Sequence, residues 1–185
     1  MVGVVIIFGI IAVIGMFLIS IYNGLVRLRT TTESSWSDID VQLRKRYNLI
    51  PSLVETVKGY ASHEKSVFEK VTQARSSAMQ AGSPEQAAKD NNMLTGALKS
   101  LFAVSEAYPE LKANANFMDL QKQLQQVEGD IESARRYYNA VVRDYNIKTE
   151  TFPSAIVASM FNFIKKEFFE LEDAGQRDPI RPDFS

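Results

Sequence analysis

The sequence has no cysteine and a single histidine among its 185 residues. The missing thiol excludes disulfide frameworks, thiolate metal sites, thiol nucleophiles and lipid-bearing cysteines together. One histidine, His63, cannot build a zincin helix, because Val67 stands where the second histidine would be, nor a di-iron carboxylate bundle, which needs two Glu-x-x-His pairs. Gly-rich phosphate loops, nucleophile elbows and Walker sequences are missing too. Net charge is −1, with 21 Lys plus Arg against 22 Asp plus Glu, so the clustered cations that draw a chain to nucleic acid are also lacking. These absences predict no catalytic residue, no metal, no cofactor and no nucleic-acid partner.

A further absence is local. No charged residue precedes Arg27, and 18 of the first 22 residues are apolar, the exceptions being Gly3, Gly9, Gly15 and Ser20. Met1 to Tyr22 therefore has the length to cross a hydrocarbon core about 30 Å thick as a helix. Its Val, Ile, Leu and Phe residues supply roughly −4 to −8 kcal/mol on the insertion scale, with no charge to oppose them. A cleaved signal peptide would need a basic start and a small-x-small site; Ile19-Ser20-Ile21-Tyr22-Asn23 offers no such site, so an uncleaved anchor is expected. Cations begin on the far side, at the juxtamembrane Arg27 and Arg29 and then Arg44, Lys45 and Arg46. The positive-inside rule then predicts an N-terminus facing out and a cytoplasmic remainder. The three glycines lie six apart, which is not the four-residue spacing of a tight helix-dimer seam.

The chain beyond the anchor is patterned for helices. Trp36, Ile39, Leu43, Tyr47, Ile50, Val54, Val57 and Ala61 step by threes and fours, predicting a helix from about residue 26 to 62, continuous with the anchor and kinked near Asn48 to Pro51. Val67, Phe68, Val71, Ala74 and Ala78 mark a second helix, ended by Gly82 as a C-cap, with Ser83 as N-cap and Pro84 as first residue of a third. The third carries Met93, Leu94, Ala97, Leu98, Leu101, Val104 and Tyr108 before Pro109. The fourth, capped by Asn114 or Asn116, holds a coiled-coil-like series from Phe117 through Leu124, Ile131 and Tyr138 to Tyr145, and Phe152-Pro153 closes it.

This pattern predicts an all-α fold: an N-terminal transmembrane helix, a long antiparallel four-helix bundle and a short C-terminal helix. The expected divisions are an anchor at 1–24, a bundle at 25–171 and a flexible tail at 172–185. Arg44-Lys45-Arg46 and Arg135-Arg136 read as solvated faces, and the pairs Tyr47-Asn48, Tyr137-Tyr138-Asn139 and Tyr145-Asn146 as rings buried in helix seams with their hydroxyls at solvent or a polar partner.

An up-down-up-down order returns the fourth helix towards the membrane and places the expected helix from Ser154 to about Phe169 beside the bilayer. Its Ile156, Val157, Met160, Phe161, Ile164, Phe168 and Phe169 form a candidate surface for a partner or the membrane. The competing reading is that the segment folds over the open end of the bundle as core.

Several ordered motifs give this sequence a family resemblance. Tyr22-Asn23-Gly24-Leu25-Val26-Arg27-Leu28-Arg29, Trp36-Ser37-Asp38-Ile39-Asp40 and Tyr47-Asn48-Leu49-Ile50-Pro51-Ser52-Leu53-Val54 come first, followed by His63-Glu64. Glu106-Ala107-Tyr108-Pro109-Glu110-Leu111, Arg135-Arg136-Tyr137-Tyr138-Asn139 and Phe152-Pro153-Ser154 continue the series. Over about residues 20 to 170 the chain resembles the LemA family of bacterial membrane proteins. The resemblance implies a single-pass anchor in the bacterial inner membrane with a cytoplasmic helical bundle, no assigned catalytic site, and, as a candidate partner, a membrane zinc metalloprotease of the HtpX type.

Together these readings lead to the expectation of a membrane-anchored scaffold or adaptor that lies in the lipid bilayer, forms a homo-oligomer and organises membrane partners. The alternative is a lipid-binding or membrane-shaping protein whose apolar C-terminal helix lies in the interface.

Overall fold

A computed structural model describes residues 1–170, which form six helices: α1 (Val2–Lys58), α2 (Lys65–Met79), α3 (Pro84–Glu106), α4 (Pro109–Lys112), α5 (Ala115–Glu150) and α6 (Ser154–Met160). The all-α expectation holds: a long apolar N-terminal helix is followed by packed helices and a short C-terminal one. The segment expected to be a tail, 172–185, lies outside the described residues. The chain divides into two compact units, one of Met1–Leu43 with Gly129–Phe168 and one of Arg44–Glu128 with the chain from Phe169. Helices α1 and α5 each contribute a part to both.

In the first unit, the apolar run of α1 touches nothing: every large side chain from Val2 to Ile19 is at least 44% exposed. Burial starts at Ile21 and Leu25. Beyond them α1 crosses Thr30-Thr31-Thr32-Glu33-Ser34-Ser35, a run of weak helix formers. The helix accommodates them by satisfying their hydroxyls within itself: Thr31 and Thr32 donate to the carbonyls of Arg27 and Leu28 at 2.9 Å, and Ser35 to that of Thr32. Thr32 and Ser35 are buried, so small satisfied hydroxyl residues form part of this unit's interior.

The second unit is built from four helical segments, α1 from Arg44, α2, α3 and α5 up to Glu128, with the short α4 between the last two. Its core draws Tyr47, Ile50, Leu53 and Val57 from α1, Phe68, Val71, Ala74 and Ala78 from α2, Leu94, Leu98 and Leu101 from α3, and Phe117, Leu124 and Val127 from α5. The expected stripes are largely the buried faces, but Leu53 takes the place of Val54, Val67 and Val104 are only half-buried, and Met93, expected inward on α3, is exposed because it precedes Leu94 by one residue and so points to another side of the helix.

The helix ends follow local chemistry. Ser83 accepts the Gln86 N–H at 3.2 Å and Pro84 opens α3, as the sequence suggests. Asn114 caps α5, its Oδ1 accepting the Phe117 N–H at 3.0 Å while its amide donates to the Tyr60 hydroxyl. Gly82 is not the C-cap of α2: Gln80 holds that place with φ −102, and among the described residues no glycine has positive φ. The helix simply stops in a tight turn, Gln80 N–H bonding to Ser77 at 3.0 Å, so the left-handed residue glycine would supply is not needed.

Pro51 does not interrupt α1, which runs on to Lys58. A proline cannot donate to the carbonyl four residues back, here that of Tyr47. That carbonyl instead accepts from Arg75 Nε of α2 at 2.7 Å. A cation from a neighbouring helix thus fills the gap in the ladder.

Two sequence readings are corrected. Arg46 is not on a solvated face: it is 2% exposed, because it lies three residues after Leu43 and four before Ile50 on the inward side of α1. Its guanidinium donates to Thr95 at 2.8 Å and to Asn91 at 3.3 Å, and pairs with Glu128 at 2.8 Å, joining α1, α3 and α5. Tyr47 and Asn91 extend the network, the tyrosine hydroxyl meeting both the Asn91 side chain and the Ala78 carbonyl. Burial pushes the Arg46 guanidinium down from its ordinary value and the Glu128 carboxyl up, each opposed by attraction to the other.

The second correction concerns the C-terminal helix, expected to reach Phe169. α6 ends at Met160. Asn162 takes φ +54, the Phe163 N–H bonds to the Ala158 carbonyl at 2.9 Å and the Asn162 N–H to that of Ser159 at 3.5 Å, which is a Schellman stop with asparagine in the left-handed position. Residues 161–170 continue without helix.

Candidate functional site at the foot of the anchor

The feature with the clearest functional geometry lies in the first unit, where α1 leaves its apolar run. Ile21 and Leu25 of α1, Tyr145 of α5, Val157 and Ala158 of α6 and Phe163 form one buried cluster, with Val26 and Leu28 packed at its edge. Tyr22, the last residue of the apolar run, meets Phe161 edge-on at 4.8 Å between ring centroids and Phe163 at 5.7 Å. Arg29 lies over the Phe163 ring at 5.2 Å.

The strap that follows α6 is tied to α5 by three side chains on its inner face. Tyr145 donates to the Ile164 carbonyl at 3.0 Å, and Tyr138 donates to that of Glu167 at 2.8 Å. Asn146 holds Lys166 from both sides, its Nδ2 donating to the carbonyl and its Oδ1 accepting the N–H, each at 2.9 Å. These contacts satisfy backbone groups that a non-helical segment would otherwise leave open. Trp36 of α1 packs on the Tyr138 ring at 5.5 Å. Burial lifts both phenols, Tyr138 to about 12 with the Glu167 carboxylate adding to the effect. Tyr145 is raised by burial, with Arg29 pulling down and Glu33 pushing up.

The candidate surface residues separate into two sets. Val157 and Phe169 are buried and Phe168 is half-buried, whereas Ile156, Met160, Phe161 and Ile164 are exposed. The segment is therefore core on one side and an exposed apolar rim on the other. The juxtamembrane cations differ too: Arg27 is exposed, and Arg29 is half-buried against Phe163. Lys148 joins them from α5, its amine lying so close over Gly24 that a Cβ there would collide with it. Lys165 pairs with Glu150, and Lys166 with Glu33 at 3.7 Å.

Tyr138, Tyr145, Asn146, Phe163 and Lys148 were not among the site residues expected from sequence. The aromatic-amide pairs were the available signal for the first three, although nothing in the spacing says that their partner is the backbone of a strap. Elsewhere, the second unit has an open groove of about 430 Å³ between α2 and α3, lined by small and polar side chains such as Ala74, Ser77, Gly96 and Ser100. Among the described residues, no group of three or more His, Asp or Glu is placed to hold a metal ion. His63 is exposed in the turn before α2.

The architecture defines a class: an all-helical membrane protein in which one apolar N-terminal helix continues directly into a packed helical body. The chain belongs to the LemA family, whose profile matches residues 35–184. It is similar to Magnetosome protein MamQ 2 of Paramagnetospirillum magneticum, at 26% identity over 87% of this chain and 69% of that protein. Magnetosome protein MamQ of Magnetospirillum gryphiswaldense shares 25% identity over the same fractions. Protein LemA of Metamycoplasma hominis is 25% identical over 84% of this chain and 72% of its own length.

Proposed function

We propose that this protein is a membrane-anchored helical scaffold, without catalytic activity of its own, that self-associates and organises membrane protein partners. The observation that carries this reading is the absence of a linker between the anchor and the folded body: α1 continues unbroken past Tyr22 and is braced at once by Tyr145, Val157 and Phe163. An enzyme tethered to reach diffusing substrates is served by a flexible connection, whereas a braced exit holds a binding surface at a set height above the bilayer. The relatives named for the magnetosome are named for an assembly rather than for a reaction, which agrees with a structural role.

Candidate partners are further copies of this chain and membrane proteins, including a zinc metalloprotease of the HtpX type. Crosslinking in intact membranes, followed by sizing of the solubilised protein, tests the reading. Higher-order species or a reproducible co-purifying membrane protein is the expected result; a strict monomer that recovers no partner overturns it. Replacement of the only histidine, His63→Ala, should leave this recovery unchanged.

We place the body on the cytoplasmic face, a reading that the cations Arg27, Arg29, Lys148, Lys165 and Lys166 support. A cysteine introduced at Ser76, on α2, should resist an impermeant thiol reagent in whole cells and react after lysis. Labelling in intact cells would reverse the orientation.

A further inference from the structure

We propose that Met160, Phe161 and Ile164 are seated in the interfacial layer of the bilayer, forming an apolar collar that grips the lipid surface beside the anchor. This deepens the scaffold reading, since it rests on α1 spanning the membrane, but it does not depend on self-association.

The depth of the collar follows from the anchor. Residues 1–21 at 1.5 Å per residue extend about 30 Å, the thickness of the hydrocarbon core. Tyr22 then falls at the boundary between chains and headgroups, the level that tyrosine rings prefer. Phe161 touches the Tyr22 ring at 4.8 Å and so shares that depth. Phe161 is 55% exposed, and its neighbours along the segment, Met160 and Ile164, are 71% and 73% exposed, which gathers large apolar side chains beside the level where lipid becomes the adjoining medium.

The collar is also preformed. The left-handed turn at Asn162 buries Phe163 and leaves Phe161 exposed, and the bonds from Tyr145 and Asn146 hold the strap at the Ile164 carbonyl and two residues on at Lys166. Seating it therefore orders no additional chain, which keeps the conformational entropy cost of insertion small.

The charges match the same medium. Arg27 lies five residues past Tyr22, about 7–8 Å along the helix axis, and the amine of Lys148 lies over Gly24. Arg27 stands at the level of lipid phosphates and the Lys148 amine about 3 Å past Tyr22, at the inner edge of the headgroups, where a cation near an anionic surface is favoured. Apolar side chains at the boundary and cations from about half a turn to a turn and a half above it reproduce the order in which a bilayer presents its hydrocarbon edge and its headgroups. A second protein copy gives no reason for that order.

Depth-dependent quenching in the full chain tests the proposal. Trp36 is the single tryptophan and is replaced by phenylalanine, and one tryptophan is then introduced as Phe161→Trp or, separately, Met160→Trp. Each protein is reconstituted in nanodiscs of phosphatidylethanolamine and phosphatidylglycerol containing lipids with a nitroxide either near the headgroup or deep in the chain. Val41→Trp is the control, because Val41 is exposed and lies about 28 Å along α1 from Tyr22.

Both collar tryptophans should emit to the blue of the control and be quenched at least twofold more by the shallow label than by the deep one, with the control quenched by neither. Emission from the collar equal to that of the control, or blue emission that neither lipid label quenches, overturns the proposal; the latter would place another protein over the collar. If Phe161→Trp disturbs its contact with Tyr22, Met160→Trp still reports, since that side chain already faces outward. A monomeric protein that shows the shallow quenching would refute self-association while leaving the collar intact.

Discussion

The unit around Arg46 buries a charge and encloses it, while the unit around the anchor exit buries aromatic rings and leaves Met160, Phe161 and Ile164 outside. In the first case four helical segments meet, and a guanidinium that reaches α3 and α5 fixes their register in a way that interchangeable leucines would not. In the second, two helix segments offer too little surface to enclose a core by themselves, so a short helix and a strap complete it through bonds to the strap's backbone. The contrast shows two uses of polar groups: to specify an interior, and to dock a segment whose other face stays available to a different medium.

The comparison can be broken most severely at Arg46. Arg46→Met should cost about 3 kcal/mol or more in denaturant unfolding of the detergent-solubilised chain, because Asn91, Thr95 and Glu128 lose their common partner. Adding Glu128→Leu should recover much of that loss; an unchanged midpoint in the single variant would mean that the buried charge does not organise its unit.

Next in size is the carbonyl freed by Pro51. Arg75→Ala should cost about 2 kcal/mol, the range for a charge-assisted bond to a carbonyl left unpaired. In a Pro51→Ala background the restored N–H takes over that carbonyl, and the cost of Arg75→Ala should largely vanish; equal costs in both backgrounds would sever the link between the two residues.

Asn146→Ala should cost about 2 kcal/mol, felt locally. Amide exchange at residues 164–167 should accelerate while α2 and α3 keep their protection, and uniform acceleration would show that the strap is not separable from the rest.

A smaller effect is tied to pH. Tyr138 has a folded value of about 12 against 10 unfolded, so its stabilising contribution is complete below pH 10 and is lost as the pH rises through 12. A rise of that size corresponds to at most about 2.7 kcal/mol, and solvent around the hydroxyl reduces this to nearer half. Tyr138→Phe should flatten the fall in stability between pH 10 and 12, and an unaltered slope would assign that fall to other groups. The smallest expected change is Asn114→Ala, about 1 kcal/mol for the lost cap of α5, read from the thermal midpoint.

Much of the fold was legible as periodicity. A step of three or four residues reports which face of a helix is buried, and it placed Ile39, Leu43, Tyr47, Ile50 and Val57 correctly on α1. Ser83-Pro84 and Asn114 were legible because capping is local chemistry. Arg46 was misread because the charge of a residue outweighed its position in the stripe: three residues after Leu43 and four before Ile50 is an inward place whatever the side chain. The C-terminal segment was misread as one helix because its apolar residues are too dense to show a period, and because a left-handed asparagine has no distinctive spelling. At the collar, the residue types were legible, but which side chains face in and which face out was not.

The sequence by itself determined the anchor, the helical class and the family, since each depends on composition or on contacts within a few residues: apolar length, 3.6-residue spacing, caps and ordered motifs. Tertiary structure alone decided that Arg75 repairs the ladder at Pro51, that Arg46 is enclosed by partners 45, 49 and 82 positions away, and that Phe161 stands beside Tyr22. The physical reason is the same in each case: a hydrogen bond, an ion pair or a ring contact depends on distance in space, and residues far apart in the chain leave no local pattern of their approach.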